Sequence, residues 1–285
     1  MTRFLKSGSS IRDARWVIFG APSDAAVSRR GGAQYAPDAI RWESLHIETY
    51  SPYLGEGLEK ASFFDVGDLF FVPGDIQSSL LKIEKVTSSF VNKGKKVLML
   101  GGDHLVSLGS VKGVLSKFSD LHVIHFDAHA DLRDCYLGSE YSHATVMRRI
   151  AEHLASPRHL HQFAIRSGSR DEIEWGKRNV DLHLIDLLEP LRDVLVKLEG
   201  CPIYISLDID VLDPSFAPGT GTPEPEGISV KDLFKALRMF NGHNVVGFDL
   251  VEISPPVDVN GVTSVLGAKI VREVLIMLGG DSVDQ

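Results

Sequence analysis

The run KVLMLGGDH, residues 96–104, decides the fold. Val97 to Leu100 are apolar without alternation, the pattern of a strand covered on both faces rather than one with a side open to water. Gly101 and Gly102 then permit a tight turn that brings Asp103 and His104 out at the strand's end. Seven more short β-rich runs follow the same logic: RWVIFG (15–20), ASFFDVG (61–67), LHVIHFD (121–127), HQFAIR (161–166), LHLID (182–186), PIYISLD (202–208) and NVVGFD (244–249). Helical patterns lie between them. The clearest spans 75–93, with Ile76, Leu80, Ile83, Val86 and Phe90 at three- and four-residue steps, Asp75 placed to cap its start and Gly94 to stop it. Others cover 105–118, 144–155, 229–240 and 262–278. This alternation predicts an α/β fold, a parallel sheet of eight candidate strands with helices on both faces. No repeat or long linker interrupts it, so a single domain over 1–285 is expected.

In such sheets ligands bind at the carboxyl ends of the strands, and the chain concentrates its chemistry there. GGDH delivers Asp103 and His104. FDAHAD (126–131) places Asp127, His129 and Asp131 at every second position, which on an extended strand end point to one side. SLDIDVLDP (206–214) supplies Asp208, Asp210 and Asp213, and FDLVE (248–252) supplies Asp249 and Glu252. Carboxylates and imidazoles crowded into a partly desolvated cleft repel and raise one another's pKa unless cations offset them. A pair of divalent ions does so. Carboxylates with a minority of imidazoles and no thiolate suit Mn²⁺, or another borderline-hard ion, better than a structural zinc site. The chemistry expected is hydrolysis by a metal-activated water.

Composition narrows the partners. The 285 residues are 44% hydrophobic and carry a formal charge of −8, without the clustered Lys and Arg of a nucleic-acid face. The N-terminal MTRFLKSGSSIRDARW has no signal-like apolar run, and no run approaches the roughly 20 residues that cross a bilayer. Cys135 and Cys201 form no CxxC spacing, which fits a reducing compartment. A cytoplasmic protein with neither nucleic-acid nor membrane partners is expected.

Taken together, GGAQYAPDAIR (31–41), GGDH, FDAHADLRD, SHATVMRR (142–149), SLDIDVLDPSFAPGTGTPEPEG (206–227) and FDLVEISPPVD (248–258) resemble the ureohydrolase family, manganese enzymes that include arginases, agmatinases and guanidino-acid hydrolases. The resemblance implies a three-layer α/β/α, arginase-like fold. It implies one manganese held by His104, Asp127, Asp131 and Asp208, and a second held by Asp127, His129, Asp208 and Asp210. Asp131 would also steer the nucleophile, Glu252 would pair with the guanidinium, and His143 would shuttle protons to the leaving amine, unless it caps the helix that follows. Asp103, Asp213 and Asp249 are left as supporting or turn residues, and His122, His125, His153, His159, His161, His183 and His243 as structural or surface ones. A homo-oligomer, trimer or hexamer, is implied as well.

The loop DLRDCYLGSEYSHATVMRR lacks the Asn and Ser or Thr pattern with which arginases hold an amino-acid head group, whereas SHATVMRR, IRSGSRDE and VEISPPVD look like the agmatinase branch. The resemblance therefore implies a small guanidino substrate, agmatine, cleaved to putrescine and urea. Arg133 and Arg148 near the mouth attract a carboxylate, which keeps arginine, guanidinobutyrate, guanidinopropionate and formiminoglutamate as alternatives. Glu226 stands where many relatives have glycine. A non-catalytic metal-binding relative is the remote alternative, disfavoured by the complete ligand set.

Overall fold

The computed structural model describes residues 2–7 and 10–279. All eight expected strands are present: β1 (Trp16–Ala21), β4 (Phe63–Asp68), β5 (Lys96–Gly101), β6 (His122–Phe126), β7 (Leu160–Ile165), β8 (Asp181–Leu184), β9 (Ile203–Asp208) and β10 (Val245–Val251). They form one sheet in the order β4-β1-β5-β10-β9-β6-β7-β8, with every pairing parallel. Two further strands, β2 (Tyr50–Ser51) and β3 (Glu56–Gly57), make a small antiparallel ribbon. Eight α-helices are described: α1 (Ala36–Ser44), α2 (Ile76–Val91), α3 (Val106–Leu115), α4 (Val146–His153), α5 (Arg170–Asn179), α6 (Leu188–Lys197), α7 (Val230–Arg238) and α8 (Val262–Gly279).

The apolar run of β5 divides between two cores. Leu98 and Leu100 join Ile40 of α1, Leu191 of α6, Leu233 of α7 and Ile270 of α8 on one face. Val97 and Met99 join Ile83 of α2, Val111 of α3 and Met147 of α4 on the other. This is the three-layer α/β/α arrangement, and it explains why β5 lacks alternation: both of its sides are buried. Asp75 caps α2 by accepting from the Ser78 amide at 3.0 Å, and Gly94 stands just past its end in the left-handed region that glycine favours.

Sheet order positions the site. The chain leaves β5 for β6 three places away and fills the two-strand gap only later, with β9 and β10. The four strands whose ends carry the acidic and imidazole motifs, β5, β10, β9 and β6, are therefore immediate neighbours at the centre of the sheet. The GGDH glycines act by space rather than by turn conformation. Neither Gly101 nor Gly102 has a positive φ; a Cβ on Gly102 would lie 2.0 Å from the Ser23 carbonyl oxygen. No described helix is long and apolar enough to cross a membrane.

Candidate metal centre and active site

His104 follows β5 and is almost fully buried. Its Nε2 donates to Ser206 Oγ at 3.0 Å, and that hydroxyl donates to Asp249 Oδ1 at 2.7 Å, while the Tyr204 hydroxyl donates to Oδ2 at 2.6 Å. Asp249 thus acts through Ser206 to hold the proton on Nε2 and leave the Nδ1 lone pair facing out. Nδ1 lies 3.2 Å from Asp127 Oδ2, 3.3 Å from Asp131 Oδ2 and 3.2 Å from Asp208 Oδ2, without a hydrogen-bond partner. A lone pair facing three carboxylate oxygens is repulsive unless positive charge sits among them.

A second group adjoins it. His129 Nδ1 is 3.0 Å from Asp210 Oδ2 and 3.5 Å from Asp127 Oδ1, and Asp210 Oδ2 is likewise buried without a partner. All six ligand candidates come together, with Asp127 facing both histidines. The groups' pKa values show the demand for cation. Burial would lower His104, but Asp127, Asp131 and Asp208 outweigh it and hold its pKa well above the usual value; Asp210 and Asp127 do the same for His129 against its burial. Burial, then Asp210 and Asp127, push Asp208 far up. Protons take the place that divalent charge fits, and the donor set of four carboxylates and two imidazoles suits a borderline-hard pair.

The convergence does not arise on an extended strand, as the two-residue spacing had suggested. β6 ends at Phe126, and the row lies in the loop beyond it. Asp127 Oδ1 accepts from the His129 amide at 2.6 Å and Asp208 Oδ1 from the Asp210 amide at 2.8 Å, so in each motif the first carboxylate folds the backbone that presents the second ligand. Asp131 is left-handed, φ 52°, pinned by the Met147 and Arg148 amides that donate to its carbonyl. Glu252 is also left-handed, φ 63°, its amide donating to the Gly102 carbonyl at 2.9 Å. Such conformations cost on the order of 1–3 kcal/mol each and persist where the surroundings fix them, which is common at functional sites.

Glu252 accepts the His104 amide at 2.7 Å, and burial followed by the nearby Asp103 pushes its pKa up to about 8. His143 does not cap a helix; Ser142 does, accepting from the Ala144 amide. Its Nδ1 donates to the Ala26 carbonyl at 2.5 Å, which leaves Nε2 as acceptor for the Ser28 hydroxyl at 3.1 Å. Both residues line a cavity of about 330 Å³ with His104, His129, Asp131 and Asp208. Asp103 ties the loop at Ser23 and Ala26, and Asp213 forms a turn with the Ser215 and Gly227 amides.

Several contributors escaped sequence reading. His125 is buried, with Nε2 2.8 Å from Asp127 Oδ2, and the Gln162 amide nitrogen is 2.9 Å from its other ring nitrogen. It supports Asp127 and is no bystander. Arg166 spends its guanidinium on the carbonyls of Asp210, Val211, Glu224 and Pro225, stapling the PEPEG loop to the ligand loop. Glu172, 5% exposed, lines the cavity and pairs with Arg133 Nε at 3.2 Å. That pairing answers the anomalous charge of Arg133. Arg148 instead lies over the Trp175 ring at 3.9 Å and pairs with Glu152, while Glu226 is exposed and does not line the cavity.

Comparison with known proteins gives the family and the fold. The Arginase family model matches residues 14–277. An agmatinase of Bacillus anthracis is 45% identical over 276 residues, 96% of this chain and 95% of that one. The crystal structure of the agmatine ureohydrolase of Thermoplasma volcanium superposes with a TM-score of 0.87 at 33% identity, covering 96% of this chain and 93% of that chain. Proclavaminate amidino hydrolase from Streptomyces clavuligerus gives 0.84 at 31% identity, covering 96% of each. The chain belongs to the arginase family, hydrolases of linear guanidino amidines.

Proposed function

We propose that this chain is a binuclear manganese enzyme that hydrolyses agmatine to putrescine and urea, its 285 residues forming one catalytic domain. The observation that carries the reading is the buried, unpartnered His104 Nδ1 facing three carboxylates in the wall of a cavity that also holds Glu252. Two manganese ions, one held by His104, Asp127, Asp131 and Asp208 and the other by Asp127, His129, Asp208 and Asp210, would lower the pKa of water enough to supply hydroxide at neutral pH.

The chain's own groups do the rest. A guanidinium carbon is a poor electrophile because its charge is delocalised, so orientation matters more than binding strength. Glu252, already fixed by the His104 amide, offers its carboxylate to the planar N–H pair, and the substrate's charge draws off the proton that burial favours. Asp131, between His104 and the cavity, accepts the proton released on attack. His143, whose Nε2 accepts from the Ser28 hydroxyl, takes up the proton that Asp131 has accepted and passes it to the leaving amine.

The tail decides the substrate. Arg133 is paired with Glu172, so its charge no longer calls for a carboxylate on the substrate tail. The pairing favours agmatine over arginine and the guanidino acids, whose carboxylate would have to displace Glu172 from Arg133. The test is urea release by purified, Mn²⁺-loaded protein from agmatine, arginine, guanidinobutyrate and guanidinopropionate, with formamide release from formiminoglutamate alongside. Agmatine should be preferred. Glu172→Gln, which leaves the Arg133 charge unopposed beside the substrate's ammonium, should raise the KM for agmatine about tenfold, the scale of one charge-assisted interaction, with little change in kcat. Metal-loaded protein that releases nothing from any of them overturns the reading. We extend the proposal to a cytoplasmic homo-oligomer, trimer or hexamer, readable from light scattering.

A further inference from the structure

At the other end of the sheet from the carboxylate centre, the amino ends of β6, β7 and β8 gather four of the chain's eleven histidines. His122 opens β6, His159 closes the short turn Pro157–His159 that feeds β7, His161 pairs in register with Asp181 at the start of β8, and His183 follows. Asp181 Oδ2 accepts from His161 Nδ1 at 2.7 Å. His161 Nε2 then accepts from His122 Nδ1 at 3.0 Å. This relay fixes the tautomer of His122 and leaves the lone pair on its Nε2. Proteins prepare imidazoles for metals in the same way, with a carboxylate behind the ring; here one extra imidazole lengthens the chain.

Beyond His122, the His159 ring stacks at 4.0 Å with an interplanar angle of 15°. Its Nδ1 is shielded from water, has no hydrogen-bond partner, and lies 3.6 Å from Asp120 Oδ1. One ligand atom from each of Asp120, His122 and His159 lies within 4.8 Å of the others.

We propose that Asp120, His122 and His159 form a second metal site, separate from the catalytic centre and selective for a borderline ion such as Zn²⁺. Two imidazoles and one carboxylate are a common zinc donor set, whereas the carboxylate-rich centre favours harder ions, so the two sites differ in preference. Stacked rings share no plane in which both can hold one ion. Binding therefore turns His159 out of the stack; it sits at the end of a single turn with its side chain 21% exposed, which gives it room. The exposed Asp120 completes the site from the solvent side and leaves further positions to water. An ion there ties the entry of β6 to the entry of β7 without touching the cavity.

Equilibrium dialysis of the Mn²⁺-loaded protein against micromolar ZnCl₂, followed by elemental analysis, tests this. Wild type should retain one equivalent of zinc more than Asp120→Ala and more than His159→Gln, both checked for native circular dichroism. The increment should persist in Asp210→Ala, whose catalytic ligands are broken. Equal zinc in wild type and in both cluster variants overturns the proposal, as does an increment that vanishes in Asp210→Ala, which would place the extra zinc in the catalytic centre.

Discussion

Replacing Asp127 by alanine lowers kcat/KM for agmatine by well over 100-fold, beyond the roughly 10–100-fold typical of residues that merely support a ligand. The expectation follows from what one side chain does. Asp127 Oδ2 faces His104 Nδ1 at 3.2 Å and is braced by His125 at 2.8 Å, while Oδ1 holds the His129 amide at 2.6 Å. Truncation removes a carboxylate common to both ligand groups and frees the loop that presents His129. Steady-state urea release together with the manganese content of each preparation checks it. The variant should lose metal as well as rate, and full activity at wild-type metal content would refute the shared role of Asp127.

Arg41→Ala unfolds the protein more readily, by about 3–5 kcal/mol, because it strands a buried charge. Arg41 on α1 is fully buried; its Nε donates to Asp65 Oδ2 at 2.7 Å, one terminal nitrogen to Asp65 Oδ1 at 3.1 Å and the other to Asp68 Oδ1 at 2.5 Å. Asp65, fully buried in β4, also accepts the Phe4 and Gly67 amides, so it cannot swing to water when its partner goes. A fall in Tm on the order of 10 °C is expected, with kcat intact in protein kept folded at low temperature. A Tm unchanged within error, or a kcat lost in fully folded protein, contradicts this account.

Arg41 also shows where sequence reading stops. Its segment, GGAQYAPDAIR, is recognisable by resemblance, yet nothing in the letters says that the last arginine is a buried strut. The strands were legible because double burial removes polar positions altogether, as in VLML. α5 was not, because among the residues of RDEIEWGKRN its apolar stripe is only Ile173 and Trp175, half-buried. α6 was hidden by Pro190 in its first turn. In the site, the ligand types carried enough chemistry to be read directly. His125 and Arg166 act through a carboxylate and through carbonyls brought near by the fold, and such partners have no spacing signature. Arg133 was visible, but Glu172 and its pairing with Arg133 across 39 positions were not.

The most direct test of the two-ion centre is anomalous diffraction at the manganese edge from crystals soaked in Mn²⁺. The account predicts two adjacent peaks, one among His104, Asp127, Asp131 and Asp208 and one among Asp127, His129, Asp208 and Asp210. A single peak, or peaks away from the ends of β5, β6 and β9, would contradict it.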